Sequence, residues 1–330
     1  MKTVLDRVRQ VHGRYAPWIS LALGIVATVL GRKDVDFAPR AIALLALAWL
    51  LPIAVARWLR PPAEGKSERG LHRFLRTASP VLTVMLYKNV LFFLVPIWFA
   101  SAHIGSVNIV VPMVLAGMAL FTCFLRPYQE IVLAEPRARV LWTAVILFAA
   151  LVPATAVVLL TSPRASIVIS ALFSSAMAWA ALAPKESLLS RQGAVTLAQI
   201  SLPAALLLGL AAPLFPPVPI VSHDHGAGTA IVKRELVGRA EHFPGGTPRV
   251  YAWFAVTLPK RGRQEVAFQW YHEGVRVGTP LHVTVEGGRK QGYRTSTNIP
   301  TPAIGSWRVD LLTDRSSQLI GRLSFEVDSS

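Results

Sequence analysis

The chain has 330 residues, of which 53% are hydrophobic, and it carries a formal net charge of +16 at pH 7. Residues 1–219 hold a net charge of +12 and residues 220–330 a net charge of +4, so the basic excess is concentrated in the apolar part. In a soluble protein such an excess would suggest nucleic-acid binding. Here the cations separate long apolar stretches, which indicates membrane lipids as partners and excludes nucleic acid.

Seven apolar stretches precede residue 216, and six of them are long enough to cross about 30 Å of hydrocarbon. The shortest, at 17–31, spans only if it includes Tyr15 and Ala16, and a signal peptide is the competing interpretation. No A-x-A-like cleavage site follows it, so we favour a retained helix. Six or seven transmembrane helices are therefore predicted within a membrane domain of residues 1–219. The stretches are 17–31, 38–59, 80–102, 105–125, 139–161, 164–183 and 193–215.

The combined number of lysines and arginines alternates between high and low in successive connecting segments. Fifteen of them lie in the segments 1–16, 57–79, 126–139 and 184–192, and four lie at 32–40 and 164. The positive-inside rule places the richer set in the cytoplasm. We therefore expect a multi-pass protein of the bacterial inner membrane whose C-terminal domain is periplasmic, whether or not the first stretch spans.

Beyond a Pro-rich segment at 212–222, long apolar runs give way to short alternating ones. We assign residues 220–228 to an exit linker and 229–330 to a soluble β domain. Seven short strands at this spacing are typical of an immunoglobulin-like sandwich, which would follow a multi-pass α-helical membrane bundle. The chain has a single cysteine, Cys123, so the β domain contains none. The candidate strands are 229–238, 249–258, 264–272, 275–285, 292–299, 306–313 and 318–327.

A spaced pattern of aromatic, glycine and basic residues runs from Gln264 to Val327. It consists of Trp270-Tyr271, Gly287-Gly288-Arg289-Lys290, Gly292-Tyr293-Arg294-Thr295-Ser296, Gly305-Ser306-Trp307-Arg308-Val309, Leu319-Ile320-Gly321-Arg322 and Phe325-Glu326-Val327. The pattern resembles a bacterial family of domains of unknown function, number 2914. It departs from that family at Thr295, where tryptophan is common, and at Thr297-Asn298, where His-Lys is common. The membrane half resembles a companion family, number 5924, and neither resemblance implies a known activity.

The Gly-rich, basic segment of that pattern is a candidate anion-binding loop. Backbone amides together with Arg289, Lys290 and Arg294 could hold a phosphate or carboxylate, and Tyr293 adds a flat face with a hydroxyl. The alternative is a hairpin loop that faces anionic headgroups. The segment lacks the Walker spacing and no helix follows it, so a nucleotide site is not expected.

Some of the polar residues within the predicted spans could form an intramembrane site. Lys88, Asn89 and Gln199 are candidates for an intramembrane site, because a charged group in hydrocarbon is costly. If a helix of spanning length ends near Ala102, Lys88 lies about 7 Å from its cytoplasmic end, at 1.5 Å per residue, and could instead extend to the headgroups. The spans contain no Asp or Glu, which argues against an ion-coupled carrier.

His223 and His225, which flank Asp224, are weak candidates for a metal site, since imidazole and carboxylate suit zinc or copper. No third ligand is evident nearby, although folding could bring in His242, His272 or His282. A polar linker is the alternative. We therefore expect no bound metal and no cofactor.

No catalytic motif identifies an enzyme: the sequence contains no Gly-x-Ser-x-Gly and no His-Glu-x-x-His. We therefore expect a membrane-anchored protein that presents a periplasmic binding or interaction module to an envelope protein or an anionic envelope ligand. The alternative is a transporter or a membrane-embedded lipid-modifying enzyme that uses Lys88 and Asn89.

Overall fold

A computed structural model describes residues 87–188, 190–289, 291–314 and 317–329 of the chain. The predicted spans at 17–31 and 38–59, the first residues of the span at 80–102, and Lys290 lie outside the described residues.

Helices fill the described part of the chain as far as residue 210. Three of them, α4 to α6, are long and apolar enough to cross a membrane, and α1 and α2 are shorter apolar helices. On α6 the side chains of Leu202, Leu206, Leu207 and Leu210 are each more than 60% exposed, which suits a lipid environment better than water. The helices are α1 (Tyr87–Ala100), α2 (Val110–Phe121), α3 (Leu125–Tyr128), α4 (Pro136–Val158), α5 (Pro163–Leu182) and α6 (Arg191–Leu210).

The region after residue 220 is built from strands, as predicted. They form a three-stranded sheet in the order β1-β5-β8, a five-stranded sheet in the order β4-β10-β9-β6-β7, and the small hairpin β2-β3. All pairings are antiparallel except that of β4 with β10. The strands are β1 (Val221–Gly228), β2 (Ala230–Val232), β3 (Glu235–Val237), β4 (His242–Pro244), β5 (Arg249–Thr257), β6 (Arg263–His272), β7 (Val275–Glu286), β8 (Tyr293–Pro300), β9 (Gly305–Thr313) and β10 (Leu319–Asp328).

Side chains from the three-stranded and the five-stranded sheet share one hydrophobic core. On β9, Trp307, Val309 and Leu311 alternate towards this core, and Leu323, Phe325 and Val327 do so on β10. This is the period-2 pattern that a half-buried antiparallel strand requires.

Two segments differ from the sequence-based assignment. Residues 221–228, assigned above to an exit linker, form β1, because Ala227 and the preceding Ile220 are buried in the core while the backbone pairs with β5. The strand expected over 229–238 is a hairpin instead. Lys233 and Arg234, at φ +50° and +68°, turn the chain in the primed geometry that suits a two-residue hairpin loop.

One compact unit of the chain comprises Ile97–Pro112, Thr155–Ile169 and Ala205–Ser330. Within it, the buried Asn108 side chain donates a hydrogen bond from Nδ2 to the carbonyl oxygen of Leu319 at 3.3 Å. The rings of Trp98 and Phe215 lie 6.4 Å apart. The connection between α1 and α2 therefore packs in the same unit as the β region.

Candidate functional site

A buried ion pair lies on the face of the five-stranded sheet opposite the core. Asp310 of β9 and Arg322 of β10 are direct cross-strand neighbours. Arg322 donates from Nε to Oδ1 of Asp310 at 2.6 Å and from Nη2 to Oδ2 at 2.8 Å. The Asp310 side chain is only 5% exposed, and this bidentate contact raises the pKa of Arg322. Both carboxylate oxygens are thus used by one guanidinium.

A second arginine lies beside this pair with its donors largely unspent. The guanidinium of Arg308 stacks on the ring of Tyr271, its cross-strand neighbour on β6, at 4.1 Å from the centroid. Its Nε is 3.6 Å from Oδ1 of Asp310, too far for a hydrogen bond, and this buried atom has no hydrogen-bond partner among the described residues. The side chain is 35% exposed. The arrangement holds a flat, oriented guanidinium that solvent can reach.

Two imidazoles border these residues. The rings of His103, in the connection between α1 and α2, and His225 of β1 lie 6.3 Å apart, and His225 stacks on Phe254. Burial lowers the pKa of both histidines, and the nearby Arg322 adds to the lowering for His103 while Asp310 opposes it. Both rings are therefore expected to be neutral near pH 7. We call Tyr271, Arg308, Asp310 and Arg322 the sheet-face cluster.

This cluster was not predicted from the sequence, although three of its four residues, Tyr271, Arg308 and Arg322, belong to the pattern that resembles the family. The available signal was the alternation along β9, where Arg308 and Asp310 fall on the face opposite Trp307 and Val309. Which residues they meet depends on the register with β6 and β10. The pairing of β9 with β6 is regular, whereas that with β10 includes a bulge between Leu319 and Gly321.

In the predicted anion-binding loop, the structure gives several residues local partners. Arg294 donates to Oε1 of Gln291 at 2.8 Å and forms an ion pair with Glu235 at 2.6 Å. The guanidinium of Arg289 lies 4.7 Å from the ring centroid of Tyr293. Arg294 thus has a carboxylate partner, whereas the contact shown for Arg289 among the described residues is with the ring of Tyr293.

The loop glycines are explained by packing. A Cβ atom on Gly287 would lie 1.9 Å from the carbonyl oxygen of Pro259, and Gly292 adopts φ +78° against the backbone of Val256. Close approach of the backbone, rather than room for a ligand, accounts for glycine at these two positions.

The weak metal candidates are not brought together with a third ligand in the described part of the chain. Asp224 instead pairs with Arg239 at 3.0 Å, and His225 packs against Phe254. His223 is exposed on β1. The pairing of β1 with β5 has a bulge between Ser222 and Asp224, so the regular alternation of faces is interrupted at His223.

The intramembrane candidates lie in the helical part. Lys88 is half-buried, whereas Asn89 and Gln199 are exposed. No hydrogen bond or ion pair joins these three residues within the described chain. Their role in transport or lipid chemistry stays a prediction.

Comparison with known families bears on the segment that carries the sheet-face cluster. The family model described as "Protein of unknown function (DUF2914)" matches residues 263–327. This match confirms the first of the two resemblances and covers all four residues of the cluster. The comparison with curated proteins finds no match to the chain. The resemblance of the membrane half to the second family stays a prediction.

Proposed function

We propose that this chain is a bacterial inner-membrane protein whose C-terminal domain is a periplasmic, immunoglobulin-like binding module for an anionic envelope ligand. The helices anchor the module and contact membrane lipids. The observation that carries the proposal is Arg308, a stacked and partly exposed guanidinium whose neighbouring carboxylate is already bound by another arginine.

Strand order supports the immunoglobulin-like assignment. If β1, β5, β6, β7, β8, β9 and β10 are lettered A, B, C, C′, E, F and G, the two sheets read A-B-E and G-F-C-C′. Immunoglobulin domains likewise place A, B and E in one sheet and C, F and G in the other, with C′ added beside C. The common core of the two sheets agrees with this arrangement.

Charge distribution and packing support the orientation. Fifteen lysines and arginines lie in one set of connecting segments and four in the other, which favours a periplasmic C-terminal domain. The connection between α1 and α2 belongs to the sparsely charged set, and it packs in the same compact unit as the β region. Both therefore belong on one side of the membrane.

Electrostatics supports an anionic ligand. Arg308 and Arg322 bring two positive charges to the cluster and Asp310 brings one negative charge, so a single positive charge remains. That charge resides on the guanidinium with free donors, and its stacking on Tyr271 reduces the freedom it would lose on binding. A guanidinium fork binds carboxylate or phosphate through two parallel hydrogen bonds.

Binding of inorganic phosphate to the full chain tests this function. In neutral-lipid nanodiscs at constant ionic strength, we expect saturable binding, measured by calorimetry, that Arg308→Ala abolishes and Arg308→Lys weakens at least fivefold. Arg239→Ala is the matched control, since it removes an equally charged side chain of the same domain that lies outside the candidate loop and is already paired with Asp224.

The control variant should bind phosphate like the unmodified chain. Equal affinity in the Arg308→Ala variant would refute the site. A second arm replaces neutral by anionic lipid. If the unmodified chain no longer binds phosphate in the anionic nanodiscs, lipid headgroups occupy the Arg308 site and are identified as the natural anion.

A further inference from the structure

At one edge of the five-stranded sheet, an imidazole and two carboxylates converge from two strands. The parallel pairing of β4 with β10 sets His242 opposite Glu326 and Pro244 opposite Asp328. Glu326 and Asp328 are two residues apart on a strand, so their side chains project from the same face. One ligand atom from each of the three residues lies within 4.8 Å of the other two.

The two separations from the imidazole nitrogen of His242 are too long for hydrogen bonds and close to those between metal ligands. Nδ1 of His242 is 3.5 Å from Oδ1 of Asp328 and 3.7 Å from Oε2 of Glu326. Hydrogen bonds between an imidazolium and a carboxylate are about 2.7–2.9 Å long. Two ligand atoms that each lie about 2.1 Å from a tetrahedral zinc ion are about 3.4 Å apart. A small side-chain movement would therefore complete a coordination sphere.

Charge in this group is left uncompensated by other residues. Within the described part of the chain, neither Glu326 nor Asp328 forms an ion pair with a lysine or arginine, although the chain as a whole is strongly basic. A divalent ion would balance the charges of these two carboxylates, whose ligand atoms lie within 4.8 Å of one another.

The backbone beneath the group is firmly held. Phe243 follows His242 on β4, and Phe325 precedes Glu326 on β10. Their rings pack edge-to-face in the core with centroids 5.5 Å apart. The amide of Glu326 donates to the carbonyl oxygen of Glu241 at 2.8 Å. Only side-chain rotamers, and not strand positions, would have to adjust on binding.

We propose that His242, Glu326 and Asp328 form a binding site for a divalent transition-metal ion of the zinc class. The three side chains supply one nitrogen and two oxygen ligands, a set that zinc accepts in tetrahedral sites with one open position. All three side chains are more than half exposed, so the open position faces solvent and can take water or a ligand. The ion would also tie the short strand β4 to the edge of the sheet.

Zinc titration of the full chain, purified without a histidine tag, tests the proposal. Calorimetry at pH 7.5 should show one saturable zinc ion per chain, and His242→Gln should weaken its affinity at least tenfold. Glu326→Gln should weaken it in the same direction. Thermal unfolding of the unmodified β domain should shift upwards with zinc, whereas the His242→Gln variant should not respond.

His282→Gln is the matched control. His282 also contacts a carboxylate, that of Asp314 at 2.5 Å, but no third ligand joins this pair among the described residues. Its substitution should leave zinc affinity unchanged. Failure of the unmodified chain to bind one equivalent, or equal affinity in the His242→Gln variant, would overturn the proposal and leave a histidine–carboxylate ion pair.

Discussion

Trp307 lies at the centre of an aromatic group in the core of the β domain. Its ring stacks on His272 at 4.5 Å and lies 6.2 Å from Trp270 and 6.3 Å from Phe325. The indole nitrogen donates to the carbonyl oxygen of Ala303 at 2.8 Å. The side chain is 3% exposed, so the packing and the hydrogen bond are both shielded from water.

Replacing this ring should therefore destabilise the domain strongly. We expect Trp307→Ala to lower the free energy of unfolding by about 3–5 kcal/mol, because it leaves a cavity that neighbouring rings cannot fill. Val275→Ala, at a side chain that is 69% exposed, should change it by less than about 0.5 kcal/mol. Pulse proteolysis of the β domain in the detergent-solubilised chain measures both. A near-neutral Trp307→Ala would mean that the indole is not a core residue.

Asp310 shows how one residue can prepare another for binding. Its buried carboxylate would be costly without a partner, and Arg322 supplies two short hydrogen bonds. Nε of Arg308 lies 3.6 Å from Oδ1 of the same carboxylate, beyond hydrogen-bond distance. Arg322 and Asp310 are thus positioning residues in this account, and Arg308 is the one that contacts the ligand.

At the scale of the element, the strands were the most predictable part of the fold. Glu273 and Gly274, which separate the candidate strands 264–272 and 275–285, adopt φ +49° and +77° between β6 and β7. The candidate strand 306–313 corresponds to β9, where Trp307, Val309 and Leu311 share the core face. Alternation and turn chemistry are local properties, and a single sequence expresses them directly.

Elements whose structure depends on distant partners were less predictable. The segment His223-Asp224-His225 reads as a polar linker, yet it belongs to β1 because β5 provides backbone partners on one side. The contacts of the sheet-face cluster could not be predicted for the same reason, since they depend on the registers of β6, β9 and β10. Composition cannot specify either pairing.

The strand β1 yields a prediction at this scale. An exported segment of residues 212–330 should fold cooperatively, whereas one of residues 229–330 should be digested rapidly by protease at 25 °C. The shorter segment lacks β1, and with it the backbone pairing to β5 and the buried Ile220 and Ala227. Equal protease resistance of the two segments would show that β1 is dispensable and that residues 220–228 act as a linker.

At the scale of the whole molecule, packing and charge point to the same arrangement. Asn108, in the connection between α1 and α2, is fully buried and bonds to β10. His103 of the same connection lies beside His225 of β1. Residues of the membrane half thus contribute to the surroundings of the sheet-face cluster, which predicts that the β domain works as part of the full chain.

Accessibility of introduced cysteines tests this arrangement, and with it the claim that the β domain is presented outside the cytoplasm, most directly. Cys123→Ala gives a cysteine-free chain, into which Ser329→Cys, Ile104→Cys or Glu135→Cys is introduced, each at an exposed position. In intact cells, a membrane-impermeant maleimide should label Ser329→Cys and Ile104→Cys, and should label Glu135→Cys only after the inner membrane is permeabilised. Labelling of Glu135→Cys in intact cells, with Ser329→Cys protected, would contradict the account.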